Sequence, residues 1–263
     1  MFKFCSLYSG SSGNSLFVQT NKTKLLVDCG ESAKKIITSL SDIDINIEDI
    51  DAILITHEHI DHVKSLGTLS KKYNIPVYTN IETLNAMPEQ KNKIKTSNVH
   101  LFDFSKDFSI GDLQIHPFPI PHDAANPSAF NIFYNDKKLS IATDIGHITP
   151  EIMNNLEKSI FLLLESNYDP NILKCSPYPY HLKKRIAGPY GHLSNNVAAE
   201  TIAHLINLGL KNVVLGHLSK ENNFPELAYK TVIDEIIHQK YSEKDINLSV
   251  ATRFNHTPII DVG

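Results

Sequence analysis

Residues 53–62 read Ile53-Leu54-Ile55-Thr56-His57-Glu58-His59-Ile60-Asp61-His62. An apolar run closes on three histidines and an aspartate within six residues, and everything else in the chain is best read outward from there. The run Ile53–Ile55 has the character of a buried strand. Extended backbone beyond it points His57 and His59 the same way, so both can face one cation. A turn into helix at Asp61 swings Asp61 and His62 towards a second position beside the first. One short loop can thus feed two metal ions. Imidazole and carboxylate without thiolate suit zinc, iron or manganese at a hydrolytic centre better than a closed structural zinc site. The plainer alternative, a polar loop that happens to be rich in histidine, leaves this spacing unexplained.

Strands and helices alternate along the whole chain. Strands are expected at 2–8, 16–20, 24–28, 52–56, 77–79, 113–118, 130–134, 139–143, 160–164, 213–215 and 247–251. Helices are expected at 32–41, 62–73, 81–86, 150–156, 195–208 and 225–239, punctuated by Pro150, Pro225 and Gly209. Asn135-Asp136 marks a hairpin, and Ser9-Gly10-Ser11-Ser12-Gly13-Asn14-Ser15 a turn between two strands. No linker, low-complexity run or short repeat interrupts the pattern. The expectation is an α/β protein forming one domain over residues 1–263, with two similar halves dividing near residue 115.

The 263 residues suffice for one large core, and 41% hydrophobic with 21% charged residues fits a globular enzyme. Cys5, Cys29 and Cys175 are sparse and unpaired in spacing, which points to a reducing compartment rather than a disulfide frame. The N-terminal apolar run is too short for a secretory signal, and no stretch approaches the roughly 18 apolar residues of a spanning helix. A cytoplasmic location without membrane partners is therefore expected. The net charge of −4 makes the chain no general polyanion binder. Two bound divalent ions would reverse that sign locally, so an anionic phosphodiester is acceptable at the site.

His57-x-His59-x-Asp61-His62 after an apolar strand resembles the signature of the metallo-β-lactamase superfamily. The superfamily's other marks follow in order: Asp28 at a strand end, His122 in Pro121-His122-Asp123, Asp144 in Thr143-Asp144-Ile145-Gly146, and His217 in Leu215-Gly216-His217. The resemblance implies an αββα sandwich of two mixed sheets flanked by helices. It also implies two divalent ions per chain (Zn, Mn or Fe): His57, His59 and His122 on one, Asp61, His62 and His217 on the other, with Asp144 bridging. Asp28 would orient the histidine loop. An aspartate at 144 resembles the dinuclear hydrolases rather than the most familiar lactamases, which carry cysteine there. A narrower resemblance, to the YycJ/WalJ-like branch, rests on the Ser9–Ser15 segment, Leu164-Glu165-Ser166-Asn167-Tyr168-Asp169, Arg185-Ile186-Ala187-Gly188, Gly191-His192-Leu193-Ser194-Asn195 and His217-Leu218-Ser219-Lys220-Glu221-Asn222-Asn223. Members of that branch look like DNA exonucleases that cut from a 5′ end.

The expected activity is a dinuclear phosphodiesterase, a 5′ to 3′ DNA exonuclease using a metal-bridged hydroxide, with Asp61 accepting a hydrogen bond from it. Glu165 and His192 are similar to a glutamate–histidine pair of ribonuclease Z. A carboxylate keeps an imidazole charged and oriented, and an alkoxide leaving group needs the proton it can give. Ser194 or Asn195 should cap the following helix, whose N-terminus is also a natural phosphate seat. Lys183, Lys184 and Arg185 are candidates for the nucleic-acid backbone, with a merely solvated face as the alternative. The competing activity is a thioester or lactam hydrolase of glyoxalase II or β-lactamase type, for which the Glu165–His192 pair would be superfluous.

Overall fold

Successive residues of the early strands divide between two apolar layers, and this alternation builds the molecule. The computed structural model describes residues 1–263. A first sheet contains β1 (Lys3–Tyr8), β2 (Ser15–Gln19), β3 (Lys24–Val27), β4 (Ala52–Leu54), β5 (Val77–Thr79) and β6 (Val99–Leu101), with the C-terminal β14 (Ile260–Asp261) beside β1. A second contains β7 (Phe108–Ile110), β8 (Leu113–Pro119), β9 (Ser128–Tyr134), β10 (Lys137–Ala142), β11 (Phe161–Glu165), β12 (Asn212–Gly216) and β13 (Asn247–Val250). Each sheet begins with antiparallel pairings and ends with parallel ones, the change falling at β3–β4 and at β10–β11.

Phe4, Leu16, Val18, Leu25, Val27 and Leu54 of the first sheet meet Ile115, Phe130, Ile132, Ile141, Phe161 and Leu163 of the second. Phe4 and Phe161 bring their ring centroids within 4.8 Å across this middle layer. The intervening residues Leu7, Phe17, Leu26 and Ile53 face outward onto helices α1 (Ala33–Asp42) and α3 (Leu66–Tyr73). On the far side Leu162, Leu164, Val213 and Leu215 pack on α9 (Asn195–Ile206) and α10 (Pro225–His238). Strands covered on both faces need near-continuous apolar sequence, as Leu162-Leu163-Leu164 supplies. The layers are α, β, β, α.

The short strands β6, β7 and β14 and the helix Pro88–Lys91 were not expected, and three larger features also differ. The two halves divide between β6 and β7, before residue 108, because the three-residue β7 buries only Ile110 and offers little pattern to read. The expected helix 62–73 is two, α2 (Ile60–Val63) and α3. The Cys29 carbonyl accepts from Ser65 N at 3.0 Å and Ser65 Oγ at 3.2 Å, which draws the chain back to the β3 loop and breaks the run. Between β11 and α9 the chain makes an unforeseen excursion through α7 (Pro170–Cys175) and α8 (Tyr180–Ile186), the latter with no buried residue. The remaining helices are α4 (Ile81–Ala86), α5 (Pro88–Lys91) and α6 (Pro150–Leu156). No helix is long and apolar enough to cross a membrane. Cys5 and Cys29 are buried free thiols and Cys175 is an exposed one.

Candidate metal centre

The loops that follow β3, β4, β8, β10, β11 and β12 converge at one end of the sandwich, and each delivers a polar side chain. Asp28, Asp144 and His217 all sit just beyond strand ends with φ of 63°, 58° and 54°. Left-handed backbone is uncommon for residues other than glycine, though aspartate and histidine tolerate it better than most, and it clusters at functional sites. Here it turns three strand ends towards a common point. Gly30 permits the remaining approach: a Cβ there would lie 1.6 Å from the Asp61 carbonyl oxygen.

The histidines are oriented from outside the cluster. His57 Nδ1 lies 3.0 Å from Thr56 Oγ1, His62 Nδ1 is 2.7 Å from Asp28 Oδ2, His122 Nδ1 3.1 Å from the Gly191 carbonyl, and His217 Nδ1 2.8 Å from Glu165 Oε1. Each partner can take the Nδ1 proton, leaving the Nε2 lone pair to face inward, the usual support of metal-ligating histidine. Asp28 also accepts from Thr56 N at 2.9 Å and Thr56 Oγ1 at 2.8 Å, locking the start of the histidine loop to β3. His59 Nδ1 lies 3.1 Å from His57 Nε2 and 3.4 Å from His122 Nε2. Asp61 Oδ2 is 3.6 Å from His62 Nε2 and 3.7 Å from His217 Nε2. Asp144 reaches both groups, with Oδ2 3.3 Å from His62 Nε2 and Oδ1 3.8 Å from His122 Nε2.

This donor set fits divalent metal. His57, His59 and His122 form one cluster able to hold an ion; Asp61, His62 and His217 form another. Asp144 Oδ2 and His217 Nε2 are buried without any hydrogen-bond partner, and buried polar atoms left unpaired are costly. The electrostatics agree. Burial disfavours charge on His217, yet Asp144, Asp61 and Glu165 outweigh it and lift its pKa to about 10. Burial, with His62 beside it, holds His57 well below the ordinary histidine value, as a neutral donor. Burial also opposes a charged Asp144, but His217 and His62 hold its carboxyl well below the usual range. The buried carboxylates thus call for positive charge at the centre of the pocket, which protons on His62 and His217 or bound cations can supply.

Glu165, at the end of β11, is fully buried. Its Oε1 takes both His192 Nδ1 at 2.7 Å and His217 Nδ1 at 2.8 Å, while Oε2 accepts from Ile145 N and Leu193 N at 2.8 and 3.1 Å. The sequence suggested a partner for His192 alone; one carboxylate in fact orients two histidines. Burial works against a charged His192, but Glu165 and Asp144 outweigh it and raise the imidazole's pKa.

Other sequence candidates lie elsewhere. Ser194 caps α9, accepting from Val197 N at 3.3 Å. Asn195 is fully buried and its amide is spent on Ser166 and Asn223, so it does not reach the cleft. Arg185 Nε donates to Asp123 Oδ2 at 2.6 Å, and Lys183 Nζ donates to the Lys174 carbonyl at 2.7 Å. Lys184 is exposed. Three residues given no role by the sequence touch the cluster. Asn14 Nδ2 lies 3.0 Å from His62 Nε2, Ser9 Oγ accepts from His217 N at 2.7 Å, and Asn167 Nδ2 donates to the His217 carbonyl at 2.8 Å. The Ser9–Ser15 turn is thus part of the site's wall; single polar residues in a Gly/Ser turn carry no spacing that announces this.

Residues 8–217 match the Metallo-beta-lactamase superfamily. The chain is 41% identical over 237 residues to Exodeoxyribonuclease WalJ of Streptococcus pneumoniae, a match covering 89% of this chain and 88% of that protein. It is 38% identical over 237 residues to Exodeoxyribonuclease YycJ of Bacillus anthracis, covering 90% and 89% respectively. The metallo-beta-lactamase fold protein YhfI from Bacillus subtilis superposes with a TM-score of 0.70 over 98% of this chain and 99% of that one. At 16% identity that likeness concerns the fold alone.

Proposed function

Because this chain belongs to the metallo-β-lactamase superfamily, we propose that it is a metal-dependent exodeoxyribonuclease, holding two divalent ions and cutting DNA from a 5′ end. The observation that supports this most is the Glu165–His192 pair beside the metal ligands, with His192 Nδ1 2.7 Å from the carboxylate and 3.7 Å from Asp144 Oδ1. A thiolate leaving group scarcely needs an acid, whereas the alkoxide of a phosphodiester does. Both curated relatives above are exodeoxyribonucleases by name, which favours the same substrate class.

His57, His59 and His122 would hold one ion, Asp61, His62 and His217 the other, and Asp144 stands between them. Bound divalent ions lower the pKa of water towards ~7 and stabilise attacking and leaving oxygens alike. The chain's own groups do the rest. Asp61, held ionised by His217 and His62 against the cost of its burial, accepts a hydrogen bond from the attacking water and fixes its direction. Glu165 holds the His192 ring by Nδ1 and favours its charged form, so that Nε2 can pass a proton to the leaving oxygen. His217 receives the same carboxylate and keeps its own Nε2 directed at the cluster.

Substrate strands are held by the α7–α8 excursion. A cavity of about 550 Å³ there is lined by Tyr168, Leu173, Tyr178, Tyr180, Lys183 and Lys184, among others. The exposed ring of Tyr180 and the half-buried ring of Tyr178, beside lysines, are suited to stacked bases and their phosphates. Arg185 is bonded to Asp123 through Nε alone, and its 61% exposed side chain keeps its other N–H donors for the same role. Lys183→Ala/Lys184→Ala should weaken DNA binding and make its salt dependence shallower, since each lost phosphate contact lowers the logarithmic slope by about 0.7–0.9. Binding measured by fluorescence anisotropy from low to high salt checks this; an unchanged slope would mean a solvated face only.

The activity itself is tested with 5′- and 3′-labelled DNA and RNA, single- and double-stranded, alongside a glutathione thioester, with Mn²⁺ or Zn²⁺ supplied. Release of nucleotides from 5′-labelled DNA is expected. Turnover of the thioester with intact nucleic acid would overturn the proposal.

A further inference from the structure

Arg253 forms no ion pair: no carboxylate lies within bonding distance of its guanidinium. Instead Nη2 donates to the Leu218 carbonyl at 2.6 Å and Nη1 to Ser12 Oγ at 3.2 Å. A guanidinium has five N–H donors in a planar fork, so most of its capacity is unspent. It lies flat against Gly10, whose φ of 143° and missing side chain make the room; a Cβ there would come within 3.0 Å of Nη1.

Arg253 lines a cavity of about 330 Å³ together with Ser9, Ser219, Lys220, Phe224 and Phe254. The volume falls in the roughly 300–1,000 Å³ range of small-ligand sites. It adjoins the metal cluster, because Ser9 also accepts the His217 backbone N–H and Leu218 is the next residue. None of its lining residues belongs to the α7–α8 cavity. Two phenylalanines stand unusually free beside it, Phe254 at 71% and Phe224 at 48% exposure. Large apolar rings beside an unpaired guanidinium form a surface with both halves of a nucleotide's chemistry: a fork for phosphate oxygens and a face for a base.

Resting on the nuclease reading above, we propose that this cavity is a nucleotide subsite, in which Arg253 takes a phosphate of the DNA and Phe254 stacks the base beside the scissile bond. Lys220 stands at the rim in an exposed ion pair with Glu221 at 3.8 Å, which a phosphate can compete for. The phosphate is either the strand's terminal 5′ group or an internal diester, and the two are separable by the end chemistry of the substrate.

The test compares the parent protein with Arg253→Gln and Phe254→Ala on 5′-phosphorylated DNA, 5′-hydroxyl DNA and bis(p-nitrophenyl) phosphate. Each variant should lower the ratio of kcat/KM on DNA to that on the small diester by roughly tenfold, mostly through KM, the scale of one stacked base or phosphate contact. Phe254 is largely solvent-exposed, so its variant tests the cavity without endangering the fold. Loss confined to 5′-phosphorylated DNA assigns Arg253 to the terminal phosphate; loss on both ends assigns it to an internal one. Parallel loss on DNA and small diester would overturn the subsite and leave Arg253 as a clamp between two loops, and so would unchanged ratios. A parent protein that degrades no DNA would instead overturn the nuclease reading itself.

Discussion

Asp144→Asn should strip the centre of metal and reduce hydrolysis to background. Asp144 is the one carboxylate whose two oxygens approach both histidine groups, at 3.3 Å to His62 and 3.8 Å to His122. An amide keeps the size but supplies a single uncharged oxygen, and its NH₂ would point at a ring nitrogen or a cation. Asparagine is a cleaner test than alanine because φ here is 58°, a conformation that asparagine tolerates. The loss should exceed the roughly 10–100-fold typical of removing a ligand's outer partner. Elemental analysis should fall from about two ions per chain, the number a two-metal site requires, to below one. Retained metal and activity would remove Asp144 from the centre.

His192→Ala should cost roughly 10²–10⁴-fold in kcat on DNA, the range of lost general-acid chemistry, with metal content preserved. The variant leaves Glu165 still bonded to His217, so the ligand shell keeps its support. A nitrophenyl phosphodiester, whose leaving group needs no proton, should be largely spared. Glu165→Gln is the more disruptive change, because the same oxygen holds His192 and His217 at 2.7 and 2.8 Å. It should lower metal occupancy as well as turnover. Equal losses for His192→Ala on DNA and nitrophenyl substrates would make the pair structural.

Legibility in the sequence followed how local each constraint is. The histidine loop could be read directly, since its residues act within one turn of chain. Asp28, His122, Asp144 and His217 stand far apart in sequence and could be gathered only through their resemblance to a known order of motifs. The strands were legible because their alternation serves two apolar layers at once. The break at Ser65 was not, because it depends on the Cys29 carbonyl of another loop. The α8 helix buries nothing, so it had no apolar stripe to show. Asn14 and Asn167 act through single amides, and Arg253 through a guanidinium that no carboxylate directly pairs; none of these leaves a trace in composition or period. Asn195 looked like a phosphate seat from its place at a helix start, yet the Ser166–Asn223 network claims it.

The most direct test is a metal titration of the chelator-stripped protein, following nucleotide release from 5′-labelled DNA. Activity should be absent in the stripped protein and rise to its plateau as the second equivalent of Mn²⁺ or Zn²⁺ is added. Full activity in excess chelator, or a plateau at one ion per chain, would contradict a dinuclear metal-dependent nuclease.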